Sequence, residues 1–343
     1  MTSKDNNPEP QKMATDNNTK ASNEPNNLNP PTASIASIGN KFKYIIAASK
    51  RGRSHAHEGK PRDDHFDITI TSSDWYVGIV ADGAGSAPFS REGSRIACET
   101  ASRVCVNHLE KLDQVDFELL TISILPESQE RTNSESPTEY NNKLNYFARQ
   151  KKEIGDILYN IFGQAALQTY KEIKSVANAK NRNAKDYATT LLMAICKKMH
   201  YGWFVASFWV GDGAIGLYNK DKNSVKLLCS PDEGEFSGQT RFITMPEIFS
   251  SAENIYKRIR FCMVDDFSSL MLMTDGVSDA FFETDKNLES PDKWRELLDN
   301  IEYALKGEDN HTPSPLIQSK RLLKWLDFWS PGNHDDRTIV IVH

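Results

Sequence analysis

Short apolar runs recur along most of the chain, and two periods organise them. Alternating or unbroken apolar stretches rich in Val, Ile, Phe, Trp and Tyr predict strands over 42–47, 66–70, 75–81, 189–196, 203–210, 224–228, 270–274 and 338–342. Most are bounded by Gly, Asp, Asn or Pro, as strands usually are. Ala214 to Tyr218 reads as a further strand, returning after Asp212-Gly213. Helical spacing organises four other regions. Between Arg91 and Leu109, the residues Ile96, Ala97, Ala101, Val104, Cys105 and Leu109 fall on one face. Tyr140 to Val176 reads as one long helix or a helical pair, and Pro291–Leu305 and Leu316–Trp329 also carry helical period, with Pro291 suited to a first turn. The Trp and Leu stripe of the last stretch reads as core packing rather than a partner groove.

Strands come in neighbouring pairs and helices in blocks, without the strict alternation of a doubly wound parallel sheet. The expected class is therefore α+β, with mostly antiparallel sheets covered by helices. Residues 1–40 are dominated by Asn, Pro, Ser and Thr, with hardly a large apolar side chain before Ile35. Such a segment buries too little surface to offset the entropy of ordering it, and is expected to be a disordered tail, the fold beginning near Phe42. Residues 41–343 then form one domain, with a helical and flexible insertion around 112–185 whose 121–140 stretch reads as a flexible surface loop.

Composition narrows the function only coarsely. A hydrophobic share of 38% and a charged share of 26% describe an ordinary globular chain. The net charge of −6 argues against nucleic acid as a partner, since nucleic-acid binders carry a basic footprint. The five cysteines include no CxxC pair and read as reduced thiols; no apolar run reaches membrane-spanning length, and Met1 to Pro10 lack the apolar core of a secretory signal. A cytoplasmic protein without membrane contact is expected. Oligomeric state leaves no mark in the sequence.

Candidate chemistry lies where apolar runs stop. Three of them end in Asp-Gly: Asp82-Gly83, Asp212-Gly213 and Asp275-Gly276, while Asp63-Asp64 and Asp335-Asp336 adjoin strands at opposite ends of the ordered chain. An Asp at the mouth of a buried strand is held rigidly, and a Gly after it lets backbone pass close to whatever the carboxylate binds. Hard divalent cations such as Mg²⁺ or Mn²⁺ want such an all-oxygen environment. Asp-Gly is also a favoured hairpin turn, and for Asp212-Gly213 the turn is the better reading, because a strand returns at once. After Asp82 comes a long loop of small residues, Gly83 to Pro88, leading into a helix, and there the site reading prevails. His55 and His57, followed by Glu58, form a weaker candidate for a Zn²⁺ ligand pair or a leaving-group acid.

These blocks, taken in order, resemble the PP2C (PPM) family of metal-dependent serine/threonine protein phosphatases, the bacterial type most closely. Pro61-Arg62-Asp63-Asp64-His65-Phe66 resembles the family's early acidic motif. Val80-Ala81-Asp82-Gly83-Ala84-Gly85, with Glu92-Gly93-Ser94 and Ala97 behind it, resembles the central metal motif. Ala188-Thr189-Thr190-Leu191 and Trp209-Val210-Gly211-Asp212-Gly213 are similar to the Gly-Thr-Thr strand start and the Gly-Asp-Ser turn. Met273-Thr274-Asp275-Gly276-Val277-Ser278-Asp279 resembles the second metal motif, and Asp335-Asp336-Arg337-Thr338 the terminal Asp-Asn-x-Thr.

The resemblance implies a four-layer αββα sandwich of two antiparallel sheets, two Mg²⁺ or Mn²⁺ ions at one end, and a third ion in some members. It implies that Asp82 bridges both ions, that the Gly83 carbonyl ligates one, and that Asp275 and Asp335 hold the other. Asp64, with Asp63, would act through bound water, and Asp279 stands at the third-ion position. The implied reaction is hydrolysis of phosphoserine or phosphothreonine in a protein substrate by water activated between the two cations. Two positions depart from the pattern. The phosphate-gripping Arg is replaced by Gly59, with Arg51, Arg53, Lys60 and Arg62 nearby, and the terminal Asn is Asp336. Asp186, before Ala188, is one position off the family's register. The missing Arg and the change to Asp336 motivate the alternative of a weak or inactive PP2C-like module that binds phosphoproteins.

Overall fold

The computed structural model describes residues 33–125, 130, 135–230, 232, 240–307 and 313–343. Among these the strands are β1 (Ala33–Gly39), β2 (Tyr44–Lys50), β3 (His65–Ile70), β4 (Tyr76–Ala81), β5 (Leu191–Met199), β6 (Gly202–Val210), β7 (Ala214–Asn219), β8 (Ser224–Leu227), β9 (Ile259–Val264), β10 (Ser269–Met273) and β11 (Arg337–Val342). One sheet runs β1-β2-β11-β10-β7-β8 and the other β3-β4-β5-β6-β9. Every named pairing is antiparallel.

Strand parity sorts the side chains into three apolar layers, because successive residues of a strand face opposite ways. In β4, Val77, Ile79 and Ala81 face the helices Ser90–Leu109 and Gln164–Ala179, while Tyr76 and Val80 enter the space between the sheets. In the other sheet, Ile45 and Ala47 of β2 and Leu270 and Leu272 of β10 meet them there. Their neighbours Ile46, Ala48, Met271 and Met273 face outward, onto the helices Asp275–Phe282, Pro291–Lys306 and Pro315–Trp325. The result is the helix–sheet–sheet–helix sandwich of an α+β fold. Each fully buried large apolar side chain contributes about 1.5–3 kcal/mol, against about 0–1 kcal/mol for a surface ion pair, so these layers hold the fold together. No helix of the described residues is long and apolar enough to cross a membrane.

The fold departs from the sequence expectation at several places. Strand β1 lies inside the stretch expected to be a tail, pairing from Ala33 opposite Lys50 to Gly39 opposite Tyr44. Its composition, Ala-Ser-Ile-Ala-Ser-Ile-Gly, is too poor in large apolar residues to stand out, yet as an edge strand it needs only one paired side and a cover. The helix Pro315–Trp325 supplies that cover, with Ser319 Oγ donating to the Ala36 carbonyl at 2.7 Å. The rest of the expected tail lies outside the described residues. Strand β9 was not anticipated either, since Arg260 interrupts its apolar run; its guanidinium sits 4.9 Å from the Trp209 ring centroid. The region expected as an insertion is largely helical: Gln114–Thr121, then Pro137–Leu158 and Gln164–Ala179 joined by a π-helical turn, Tyr159–Gly163. Ile154, Leu158, Phe162, Ala166 and Ile173 are buried there, so these helices are part of the outer layer. Residues 126–129 and 131–134 of the expected flexible loop lie outside the described residues.

Candidate metal centre

Antiparallel registry places one set of strand ends together. Lys50 at the end of β2 opposes Arg337 at the start of β11, and Met273 at the end of β10 opposes both Ile339 of β11 and Ala214 at the start of β7. In the second sheet His65 opposes Ala81, and Leu191 opposes Val210. The residues just beyond these ends are Asp64, Asp82, Asp212, Asp275, Asp335 and Asp336. Carboxylates from both halves of the sequence thereby reach one end of the sandwich.

Asp82 is fixed by its backbone. Its N–H donates to Thr190 Oγ1 at 2.8 Å, and its carbonyl accepts from Thr190 N at 2.8 Å and Thr189 Oγ1 at 2.7 Å. Gly83 bridges to Thr189. Asp64 is buried at 2% exposure, with Oδ2 accepting from Thr274 Oγ1 at 2.8 Å and Thr338 Oγ1 at 2.7 Å. Asp275 opens the helix Asp275–Phe282. A Cβ on Gly276 would lie 1.8 Å from the Asp336 carbonyl oxygen, so only glycine lets that helix start so close to the 335–336 segment.

Asp212 corrects the sequence reading. It does not sit in a hairpin, because β6 and β7 belong to different sheets, and Gly211-Asp212-Gly213 carries the chain across the end of the sandwich. Gly211 has φ +126°, and a Cβ on Gly213 would lie 2.4 Å from the Met273 carbonyl oxygen. Asp82, Asp212 and Asp275 each present one carboxylate oxygen, all within 4.8 Å of one another. A glycine on each side of Asp212 was the available signal, and the hairpin rule masked it.

Three carboxylate oxygens here, Asp64 Oδ1, Asp212 Oδ1 and Asp275 Oδ1, are buried without a hydrogen-bond partner. Buried acceptors are normally satisfied, so three orphans at one strand end mark a place where a cation belongs. Their all-oxygen character fits Mg²⁺ or Mn²⁺ and not a soft metal. Without a cation the acids compete. Burial, then the charges of Asp275 and Asp64, push Asp82 well above the ordinary carboxylate range. Burial and Asp212 do the same to Asp275. Burial and Asp336 raise Asp64 to about 7, and burial with Asp212 and Asp285 raises Asp279 to about 6. Asp279 stands one turn beyond Asp275 on the same helix, beside this group rather than within it.

Asp335 falls in a second group with His55 and Asp336, again with one atom each inside 4.8 Å. Its carboxyl is raised by burial, and its charge is felt by Asp82 and Asp275. Asp336 is buried and works as a hub. Oδ1 accepts from Gly52 N at 2.6 Å, and Oδ2 accepts from Asp63 N at 2.5 Å and meets His55 Nδ1 at 3.0 Å. The hydrogen bond to Asp336 raises His55 to about 9, with Asp63 3.8 Å from Nε2 on the other side. His55 is thus a cation that answers the extra charge at Asp336. His57 is exposed and joins neither acid group, so the Zn²⁺ pair does not form.

The basic candidates separate clearly. Arg62 is buried, donating from Nε to the Asp64 carbonyl and from a terminal nitrogen to Ser49 O, each at 3.0 Å, so it braces backbone. Arg51 donates to Lys60 O at 2.9 Å, and Lys60 pairs with Glu58 at 2.6 Å. Arg53 is exposed. Asp186 accepts from Asn183 N at 3.1 Å as part of a capping box and joins neither acid group.

A family profile described as Protein phosphatase 2C matches residues 51–327. No curated protein matches the chain. Among solved structures, a bacterial serine phosphatase is 13% identical, with 87% of this chain and 96% of that one covered and a TM-score of 0.42. The serine/threonine phosphatase Stp1 from Staphylococcus aureus is 13% identical over 87% and 93%, at 0.41. RsbX in complex with magnesium is 12% identical over 90% and 98%, at 0.40.

Proposed function

The chain belongs to the protein phosphatase 2C family, and from that membership we propose that it hydrolyses phosphoserine and phosphothreonine in protein substrates with the help of Mg²⁺ or Mn²⁺. One observation carries the reading. Asp82, Asp212 and Asp275 leave three separate strands and bring oxygens within 4.8 Å, and Asp212 and Asp275 each hold a buried oxygen without a hydrogen-bond partner. Divalent cations bound there supply Lewis acidity, which makes water a nucleophile at neutral pH and offsets the charge of a phosphate.

The chain's own residues do the rest. Asp82, Asp212 and Asp275 hold cation on a frame fixed by Thr189, Thr190 and the crossing glycines. Asp335 borders the same end and completes the acid set, and Gly83 offers its carbonyl beside Asp82. Asp64, held by Thr274 and Thr338, keeps one oxygen turned to Asp82 and can accept a proton from water delivered to the centre. Asp279 stands where a further ion would be met. The 335–336 turn and the 52–64 loop are clamped together by Asp336 and His55, which fixes Asp63 and Asp64 opposite Asp82.

The test is release of phosphate from phosphoserine and phosphothreonine peptides, with and without Mn²⁺ or Mg²⁺. Turnover should require metal and vanish in Asp82→Asn and Asp275→Asn. The second reading, a phosphoprotein-binding module, draws on Gly59 and on Arg62, whose guanidinium is committed to backbone and cannot grip a phosphate. Tight phosphopeptide binding without turnover at every metal concentration would favour it.

A further inference from the structure

Beside the acid centre lies a surface of opposite sign. The end of β2 and the short helix Arg53–His57 face the helix Pro315–Trp325 across a cleft of ≈ 480 Å³. Lys50, Arg51, Arg53, Lys320 and Lys324 line it, and Asp327 is the only acid among its lining residues. Asp327 is committed to Lys50 at 2.9 Å. Arg53, Lys320 and Lys324 are exposed, and no ion pair engages them among the described residues. The cleft thus concentrates positive charge on a chain whose net charge is −6.

Its position gives it a use. Lys320 and Lys324 are one turn apart, so both project from one face of their helix. The opposite face is buried through Leu322 and Leu326. Gly52 forms the wall nearest the acid centre. Its N–H donates to Asp336, and a Cβ there would lie 2.3 Å from the backbone carbon of Asp335. The cleft therefore abuts the segment that carries Asp335. A polypeptide with one residue at the centre can lay its flanking residues along this cleft, at about 3.3 Å per residue when extended.

The geometry points to this cleft as a docking groove for an acidic stretch of the protein substrate, rich in Asp and Glu and flanking the phosphorylated residue. The assignment rests on the phosphatase reading and refines it to a substrate class. Charge complementarity selects the occupant. The chain's own first 32 residues carry four carboxylates against three lysines, and do not supply that charge.

Two measurements on the full chain test it. Binding of a fluorescent, unphosphorylated Asp/Glu-rich peptide is followed by anisotropy. In parallel, kcat/KM is compared for acidic-flanked and neutral-flanked phosphoserine peptides. In the double variant Lys320→Glu, Lys324→Glu, peptide binding should weaken at least tenfold, and the preference for the acidic phosphopeptide should fall by a similar factor. The milder Lys320→Gln, Lys324→Gln should show a smaller loss in the same direction, and covers the case in which charge reversal disturbs folding. Equal binding by all forms, or equal turnover of both phosphopeptides by the parent chain, would overturn the groove. So would tighter capture of single-stranded nucleic acid or of phosphatidylserine vesicles that is lost in the same variants. Failure of phosphate release on every peptide, with acidic-peptide binding still lost in the variants, would strike the catalytic reading and leave the groove standing.

Discussion

Two acid clusters sit side by side at one end of this sandwich, and they are built on opposite principles. Asp82, Asp212 and Asp275 face one another, and Asp212 and Asp275 each keep one buried oxygen that receives no hydrogen bond. Asp336, at the same end of the sandwich, is more deeply buried but is met by two backbone N–H groups within 2.6 Å and by the His55 ring. The first group is incomplete without an added cation; the second carries its own. The difference separates a binding site from a brace in a region where the sequence shows only aspartates.

Substitutions should break the two clusters differently. The largest effect is expected for Asp82→Asn or Asp275→Asn, which should cut metal-dependent phosphate release by about 10³-fold or more. The folded state should survive, because removing a charge relieves repulsion in the metal-free chain. Asp336→Ala should do the reverse, lowering stability by about 3–5 kcal/mol, since it strands a buried His55 cation and two donors. Chemical denaturation would read that loss. Asp212→Asn should weaken Mn²⁺ binding by about tenfold or more in calorimetry, with little change in melting temperature without metal.

Much of the fold was legible because strand parity is written locally: Ile45-Ile46-Ala47-Ala48 and Leu270 to Met273 show two buried faces in the sequence itself. Asp82 was legible because no hairpin could follow it. Asp212 was not, since its turn looks local while its meaning depends on which sheet each flanking strand joins. His55 and Asp336 are 281 residues apart, and no local pattern links them. Strand β1 escaped notice because its stability comes from pairing with β2 and cover by a helix, not from its own Ala and Ser side chains. The basic cleft likewise joins residues near 50 with residues near 320, and in sequence each half is only a few surface charges.

Acidity offers a gentler probe of the comparison. Asp64 at about 7 and Asp279 at about 6 lie above the ordinary value of 3.8. A carboxyl raised on folding stabilises the folded state below the unfolded pKa, and that stabilisation is lost as pH rises through the folded value. In chelator, the melting temperature should therefore fall between about pH 4 and pH 7, and Mn²⁺ should flatten the decline. The smallest effect is expected for Asp186→Ala, which removes a capping interaction worth about 1 kcal/mol and should leave phosphate release unchanged.

The central claim is that Asp82, Asp212 and Asp275 together hold a divalent cation. Anomalous diffraction from crystals soaked in Mn²⁺ tests it most directly. The account predicts a strong peak about 2.0–2.2 Å from carboxylate oxygens of these residues. Soaked crystals with those three carboxylates bare, or with manganese only on outlying surface acids, would contradict it.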